Sequence, residues 1–121
     1  MPHCILEYSS NVVETPNLER LFEELHRRLA ATGHFKLNDI KSRAIKHDCF
    51  CIGDGDSNRA FVTLEICILS GRDSATKRTI AEPAAALLQD TYAETLKARR
   101  CSLTVRVSDI DRESYRRIVS E

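Results

Sequence analysis

Two residues of this chain have a type and a position that could do chemistry, Pro2 and Arg72. Pro2 directly follows Met1, and an initiator methionine is readily trimmed when the next side chain is small. Trimming leaves Pro2 with a free secondary amine that can shuttle a proton, unlike any internal backbone nitrogen. Untrimmed, Pro2 merely follows a start residue. Arg72 ends the run Leu69-Ser70-Gly71-Arg72, between an expected strand end and an expected helix start. A guanidinium there lies beside outward-pointing helix amides, and both attract carboxylates. Its bland alternative is a solvated arginine after a glycine turn. His47, Cys49 and Cys51 alternate, so on a strand they would share one face. With His3 they could be drawn as a metal site, but H-x-C-x-C matches no common zinc framework, and no metal ligand is assigned. Asp54, Asp56 and Asn58 superficially resemble a calcium loop, yet Arg59 stands where its glycine is required, so the segment reads as a connector.

Such groups need a scaffold, and the composition bounds it. At 121 residues the chain is the size of one domain, long enough for a modest core without staples. Hydrophobic content of 42% and charged content of 30% are those of an ordinary soluble globular protein. Eighteen basic residues balance eighteen acidic ones, so no overall field recruits nucleic acid or an anionic membrane. Any anion preference must come from a few placed cations. No apolar run approaches the about 18 residues that span a bilayer. His3, Glu7 and Ser9-Ser10 interrupt what would be the apolar part of a signal peptide, so a cytoplasmic location is expected. The five cysteines are odd in number and scattered, which reads as reduced thiols, several serving as small hydrophobes in strands.

The elements expected are strand, helix, strand, repeated once. His3–Ser9 is a short strand. Thr15 is a plausible cap, with Pro16 in the first turn, for a helix whose stripe is Leu18, Leu21, Phe22, Leu25 and Leu29. Glu23–Arg27 and Glu24–Arg28 are expected i,i+4 pairs, and Gly33 ends the helix. A strand over 37–50 follows, then a turn-rich connector. Residues 60–69 form the clearest strand, with Val62, Leu64, Ile66 and Ile68 on one face. A helix over 74–97 is expected to bend at Pro83, and a strand over 101–107 precedes a charged tail. The fold class is therefore α/β (α+β), with two consecutive βαβ units giving a four-stranded sheet under two helices on one face. The chain divides into pseudo-repeats 1–52 and 59–111 and a tail, 112–121, within one domain. Too few residues remain to cover the other sheet face, which points to an oligomer.

At this point a resemblance appears. Pro2 opening a strand, Ile40-Lys41-Ser42-Arg43, and Leu69-Ser70-Gly71-Arg72 before a helix together resemble the tautomerase superfamily, and within it the 5-carboxymethyl-2-hydroxymuconate isomerase family. Met1-Pro2-His3, Glu7-Tyr8-Ser9, Ala31-Thr32-Gly33, His47-Asp48, Asp54-Gly55 and Ala60-Phe61-Val62 match as well. The likeness runs from Met1 to about Asp111, and it is the ordered set, not any one tripeptide, that is specific. It implies a tautomerase-like homotrimer with the mature N-terminal proline, here Pro2, as catalytic base. It implies that Arg72 binds a substrate carboxylate. Relatives carry an arginine pair spaced by one residue on the second strand; here the pair is Lys41 and Arg43, so the planar bidentate fork is lost at Lys41. The two point to one side of their strand, and Lys41 ranks slightly ahead as the substrate contact. The tail also departs, with Tyr115-Arg116-Arg117-Ile118-Val119 where relatives show Asn-Asn-(Ile/Val)-His.

The expected activity is that of an isomerase moving a proton in an unsaturated 2-hydroxy/2-oxo di- or tricarboxylate, in the breakdown of aromatic compounds. Proton abstraction beside a carbonyl needs a neutral base with a pKa near working pH. Partial burial and the charges of Arg72 and Lys41 would disfavour the prolyl ammonium, while the same cations hold carboxylates and stabilise a dienolate. This chemistry requires no metal and no organic cofactor, and a small carboxylate is the expected partner. Two other readings stand beside it: another reaction of the same amine (hydration, decarboxylation or dehalogenation), and a binding module that kept the fold without turnover.

Overall fold

Alternation of apolar residues sets the layering of the molecule. The computed structural model describes residues 1–120. In chain order the elements are β1 (His3–Ser9), α1 (Leu18–Ala31), β2 (Lys41–His47), β3 (Arg59–Leu69), α2 (Ser74–Thr91), α3 (Ala93–Ala98) and β4 (Arg100–Ile110). Single 3-10 turns at Leu37–Asp39 and Arg112–Ser114 flank β2 and β4. The four-stranded sheet has the order β2-β1-β3-β4. β1 runs parallel to β2 and β3 parallel to β4, as two strand–helix–strand units require, and the units join through an antiparallel β1–β3 pair.

Period-2 spacing turns Cys4 and Leu6 of β1, and Val62, Leu64, Ile66 and Ile68 of β3, toward the helices. They are buried there with Leu21, Leu25 and Leu29 of α1 and Ile80, Ala84, Leu87 and Leu88 of α2. Each such aliphatic side chain contributes about 1.5–3 kcal/mol by leaving water, so this seam dominates the stability of the layer. The opposite sheet face mixes apolar with polar side chains, and the polar ones bond across the strands. Thr104 Oγ1 donates to Thr63 Oγ1 at 2.7 Å, Ser108 Oγ to Glu65 at 2.7 Å, and Arg106 pairs with Glu65 at 3.0 Å.

Several local expectations need correction. The cap of α1 is Asn17, whose Oδ1 accepts the Arg20 N–H at 3.2 Å, and not Thr15. Asn outranks Thr as a cap, and Pro16 then lies before the helix. Glu24 takes both Arg27, at 2.6 Å, and Arg28, at 3.2 Å, and no Glu23–Arg27 pair forms among the described residues. The second strand is shorter than 37–50, because Leu37–Asp39 winds into a turn. Cys49 and Cys51 therefore lie exposed beyond it, while His47 Nε2 meets Glu7 Oε1 at 2.8 Å on the strand face. β4 extends past both expected ends.

The helix expected over 74–97 is two helices. α2 continues through Pro83, and the break comes at Tyr92, with φ −107° and ψ 26°. A strap after β1 captures the first turn of α3: Glu14 Oε2 accepts the Thr95 N–H at 3.0 Å, and Glu14 Oε1 also takes the Thr95 hydroxyl. The Val13 N–H donates to Thr95 Oγ1 at 2.9 Å. An amide satisfied by a carboxylate no longer needs the helical carbonyl behind it, which lets the axis change direction here. Among the described residues no helix is long and apolar enough to cross a membrane.

Candidate active site

The sheet topology brings four chain segments to one end of the sheet. Parallel pairing sets the starts of β1 and β2 side by side, with His3 opposite Lys41. Antiparallel pairing sets the end of β3 beside the start of β1, with Cys67 opposite His3. β4 ends there too, with Ile110 opposite Leu69. Pro2, Lys41, Arg43 and Arg72 are thus gathered at or near one rim from three separate stretches of sequence.

Pro2 is a fully buried side chain, and its carbonyl accepts the Lys41 N–H at 3.1 Å, tying the starts of β1 and β2 together. The Met1 amine donates to the Asp39 main-chain carbonyl at 3.2 Å. Lys41 Nζ donates to that same carbonyl at 3.2 Å. Burial lowers the pKa of this amine, and the Lys41 charge lowers it further; Asp39 opposes, and Arg117 again lowers it. The end of the chain is thus in surroundings that disfavour an ammonium.

Arg43 lies one step further along the open face. It acts on His3, whose pKa is lowered first by burial, then by Arg43, Lys41 and the terminal amine. These surroundings favour the neutral imidazole of His3. Arg72 sits at the same rim but faces the helix layer: its Nη2 donates to the His34 carbonyl at 3.1 Å, and its guanidinium carbon lies 5.2 Å from the Phe35 ring centre. Its charge is not among those acting on the Met1 amine. The structure therefore places Lys41 beside the amine and Arg43 one step further on, against His3, and holds Arg72 on the neighbouring loop.

Sequence reasoning missed Asp39 and Arg117, and it named His3 only in the metal reading and Tyr115 only as part of the tail. Tyr115 Oη and His3 Nε2 share a hydrogen bond of 3.2 Å, and Arg117 Nη2 donates to Asp39 Oδ1 at 3.1 Å. Two arginines and an aromatic in the tail were the visible signal, but periodicity carries no information on where an irregular segment returns. A competing cavity of 380 Å³ between the helices and β4 is lined by Ala85, Gln89, Leu96, Cys101 and Leu103. It offers no charge to a carboxylate, so the rim is the better candidate.

Comparison with known proteins bears on the family and the fold. A model of the family described as 5-carboxymethyl-2-hydroxymuconate isomerase matches residues 2–118. A 5-carboxymethyl-2-hydroxymuconate Delta-isomerase of Escherichia coli is 31% identical over 110 residues, which cover 91% of this chain and 87% of that protein. The crystal structure of a 5-carboxymethyl-2-hydroxymuconate isomerase from Deinococcus radiodurans R1 matches with a TM-score of 0.89 and 26% identity, over 98% of this chain and 90% of the other. At the level of fold alone, a "Q0 fused 4-OT wild type symmetric trimer" matches with a TM-score of 0.69 and 14% identity, over 90% and 85% of the two chains.

Proposed function

This chain belongs to the 5-carboxymethyl-2-hydroxymuconate isomerase family and is an isomerase, and from that premise we propose that Pro2, freed of Met1, is the base that moves the proton. The substrate class is an unsaturated 2-hydroxy/2-oxo di- or tricarboxylate like 5-carboxymethyl-2-hydroxymuconate. The neutral secondary amine accepts the proton of the 2-hydroxyl group. Electron density then spreads along the diene, and the prolinium returns a proton to the far carbon, leaving a 2-oxo acid. Lys41 and Arg43 bind carboxylate and stabilise the dienolate from the open face. Arg72 binds a second carboxylate from the rim, using the guanidinium donors that its single bond to His34 leaves open.

One observation carries this reading: Pro2 is buried with its carbonyl tied to the Lys41 N–H at 3.1 Å, in a place where burial and the charges of Lys41 and Arg117 already lower the pKa of the Met1 amine that precedes it. No ordinary surface terminus has that reason to act as a base near neutral pH. The test is to mix the protein with 5-carboxymethyl-2-hydroxymuconate and follow the loss of dienol absorbance. Pro2→Ala should lower kcat by at least about a hundredfold, the usual contribution of a positioned base. An undiminished rate in that variant, or an intact mass that retains Met1 in active protein, rules the mechanism out.

A further inference from the structure

The C-terminal segment crosses the whole rim. The Ser70 N–H donates to Ile110 O at 2.9 Å where β4 ends, and Arg112 Nε donates to Ser70 O at 3.2 Å. Tyr115 then reaches His3 at the start of β1, and Arg117 reaches Asp39 at the approach to β2. The segment so passes from the β4 edge of the sheet to the β2 edge, over the mouth of the candidate site.

We infer that Arg117 is a substrate-binding residue: it takes the carboxylate remote from the reacting carbons and makes the site selective for dicarboxylates. The inference rests on the reading of the rim as the isomerase site. Three observations carry it. First, Asp39 accepts from three directions: its main-chain carbonyl takes the Met1 amine and Lys41 Nζ, and its carboxylate takes Arg117. The guanidinium is therefore within one residue's span of the amine and Lys41. Second, Arg117 meets Asp39 through one nitrogen only, and both side chains are about a third exposed, 40% and 32%. The rest of its fork is open to a ligand among the described residues. Third, the charges around the amine do not balance. Lys41 and Arg117 lie beside it with one carboxylate, Asp39. A second anionic group completes that set.

The chemistry also explains why a tail arginine matters in this chain. Lys41 is a point charge without a planar fork, whereas a guanidinium grips both oxygens of a carboxylate and so fixes its orientation. Arg117 restores that fork from another element. Asp39 acts through Arg117 and is its positioning residue. Were the Arg117–Asp39 pair only a latch for the tail, its loss would weaken every ligand alike.

Calorimetric titration separates these cases without requiring turnover. The probes are adipate, a saturated six-carbon dicarboxylate, and hexanoate, its monocarboxylate counterpart. Arg117→Ala should weaken adipate binding about tenfold, as expected for losing a charge-assisted hydrogen bond, and hexanoate binding by less than about twofold. Arg117→Lys should fall between, and Arg20→Ala, which removes a charge from the exposed side of α1, should change neither. Equal losses for the two probes, no loss for either, or wild-type protein that does not prefer adipate overturns the inference. Dienol turnover and its abolition by Pro2→Ala are scored apart. Arg117-dependent adipate binding without Pro2-dependent turnover would therefore keep this assignment and remove the proposed base.

Discussion

Removing a cation near an amine raises the amine's pKa, because the ammonium loses a repulsive neighbour. At the rim the neighbours are Lys41, Arg117 and Asp39 beside the amine, with Arg43 and His3 one step further on the sheet. Burial and the two nearer cations push the Met1 amine down, and Asp39 pushes it up; a Pro2 amine exposed by trimming lies one residue further in, next to Lys41. For a base, activity rises as pH climbs through the amine's pKa. Lys41→Gln should therefore move the ascending limb of the kcat/KM profile to higher pH, whereas Lys41→Arg should leave that limb in place. A limb that stays put in the Gln variant would mean that Lys41 acts only as a ligand. The place of Pro2 was legible in the sequence because it is tied to the chain start, and Lys41 stood out through the family resemblance. Asp39 was not, since its role rests mainly on a main-chain carbonyl, which any residue type possesses. Arg117 was not either, because nothing in a charged tail specifies its landing point.

Among the elements, the junction of α2 and α3 is held by polar contacts that converge on Thr95. Thr95 is completely buried, and Glu14 supplies its partners. Burial alone raises the Glu14 carboxyl, but hydrogen bonds from Thr95 and from the Glu14 and Glu94 backbone together outweigh it and hold the group below the usual carboxylate range. A depressed carboxylate contributes stability that is present above its unfolded pKa and lost as pH falls through the folded value. Glu14→Ala should cost about 1–3 kcal/mol in urea unfolding near pH 7, the penalty for stranding a buried donor. The difference from wild type should shrink as pH drops below the ordinary carboxylate range. A constant difference across that span would show that packing, not the ionised carboxylate, makes the contribution. The strands were legible because burial on one face imposes alternation; β1 was expected over the residues it occupies. The break at Tyr92 was not, because α2 and α3 share one apolar stripe, and what separates them is a contact from Glu14, far away in sequence. Pro83 is the opposite lesson: a residue that breaks helices in isolation is carried by the packing of α2 on the sheet.

At the scale of the whole molecule, one sheet face remains without a second layer. β2 and β4 are the two edges of the sheet, and edges left unpaired invite another chain. On the open face Ile45 is 46% exposed, in register with Glu7 of β1. A sheet is stable when both faces are covered or one is thoroughly polar, and this face mixes Ile5, Ile45 and Phe61 with charged side chains. A homotrimer, as the family resemblance implies, would resolve the mixture by setting these apolar positions against a neighbour. Sedimentation equilibrium at micromolar concentration should therefore give three chain masses. Ile45→Asp sets a carboxylate among apolar contacts and should shift the protein to single chains with its far-ultraviolet circular dichroism retained. Turnover should fall with assembly if a neighbour's edge closes the rim that one subunit leaves open to water. A wild-type protein that sediments as a single chain and turns over the dienol at full rate would show that each rim works alone, and that the open face has some other role.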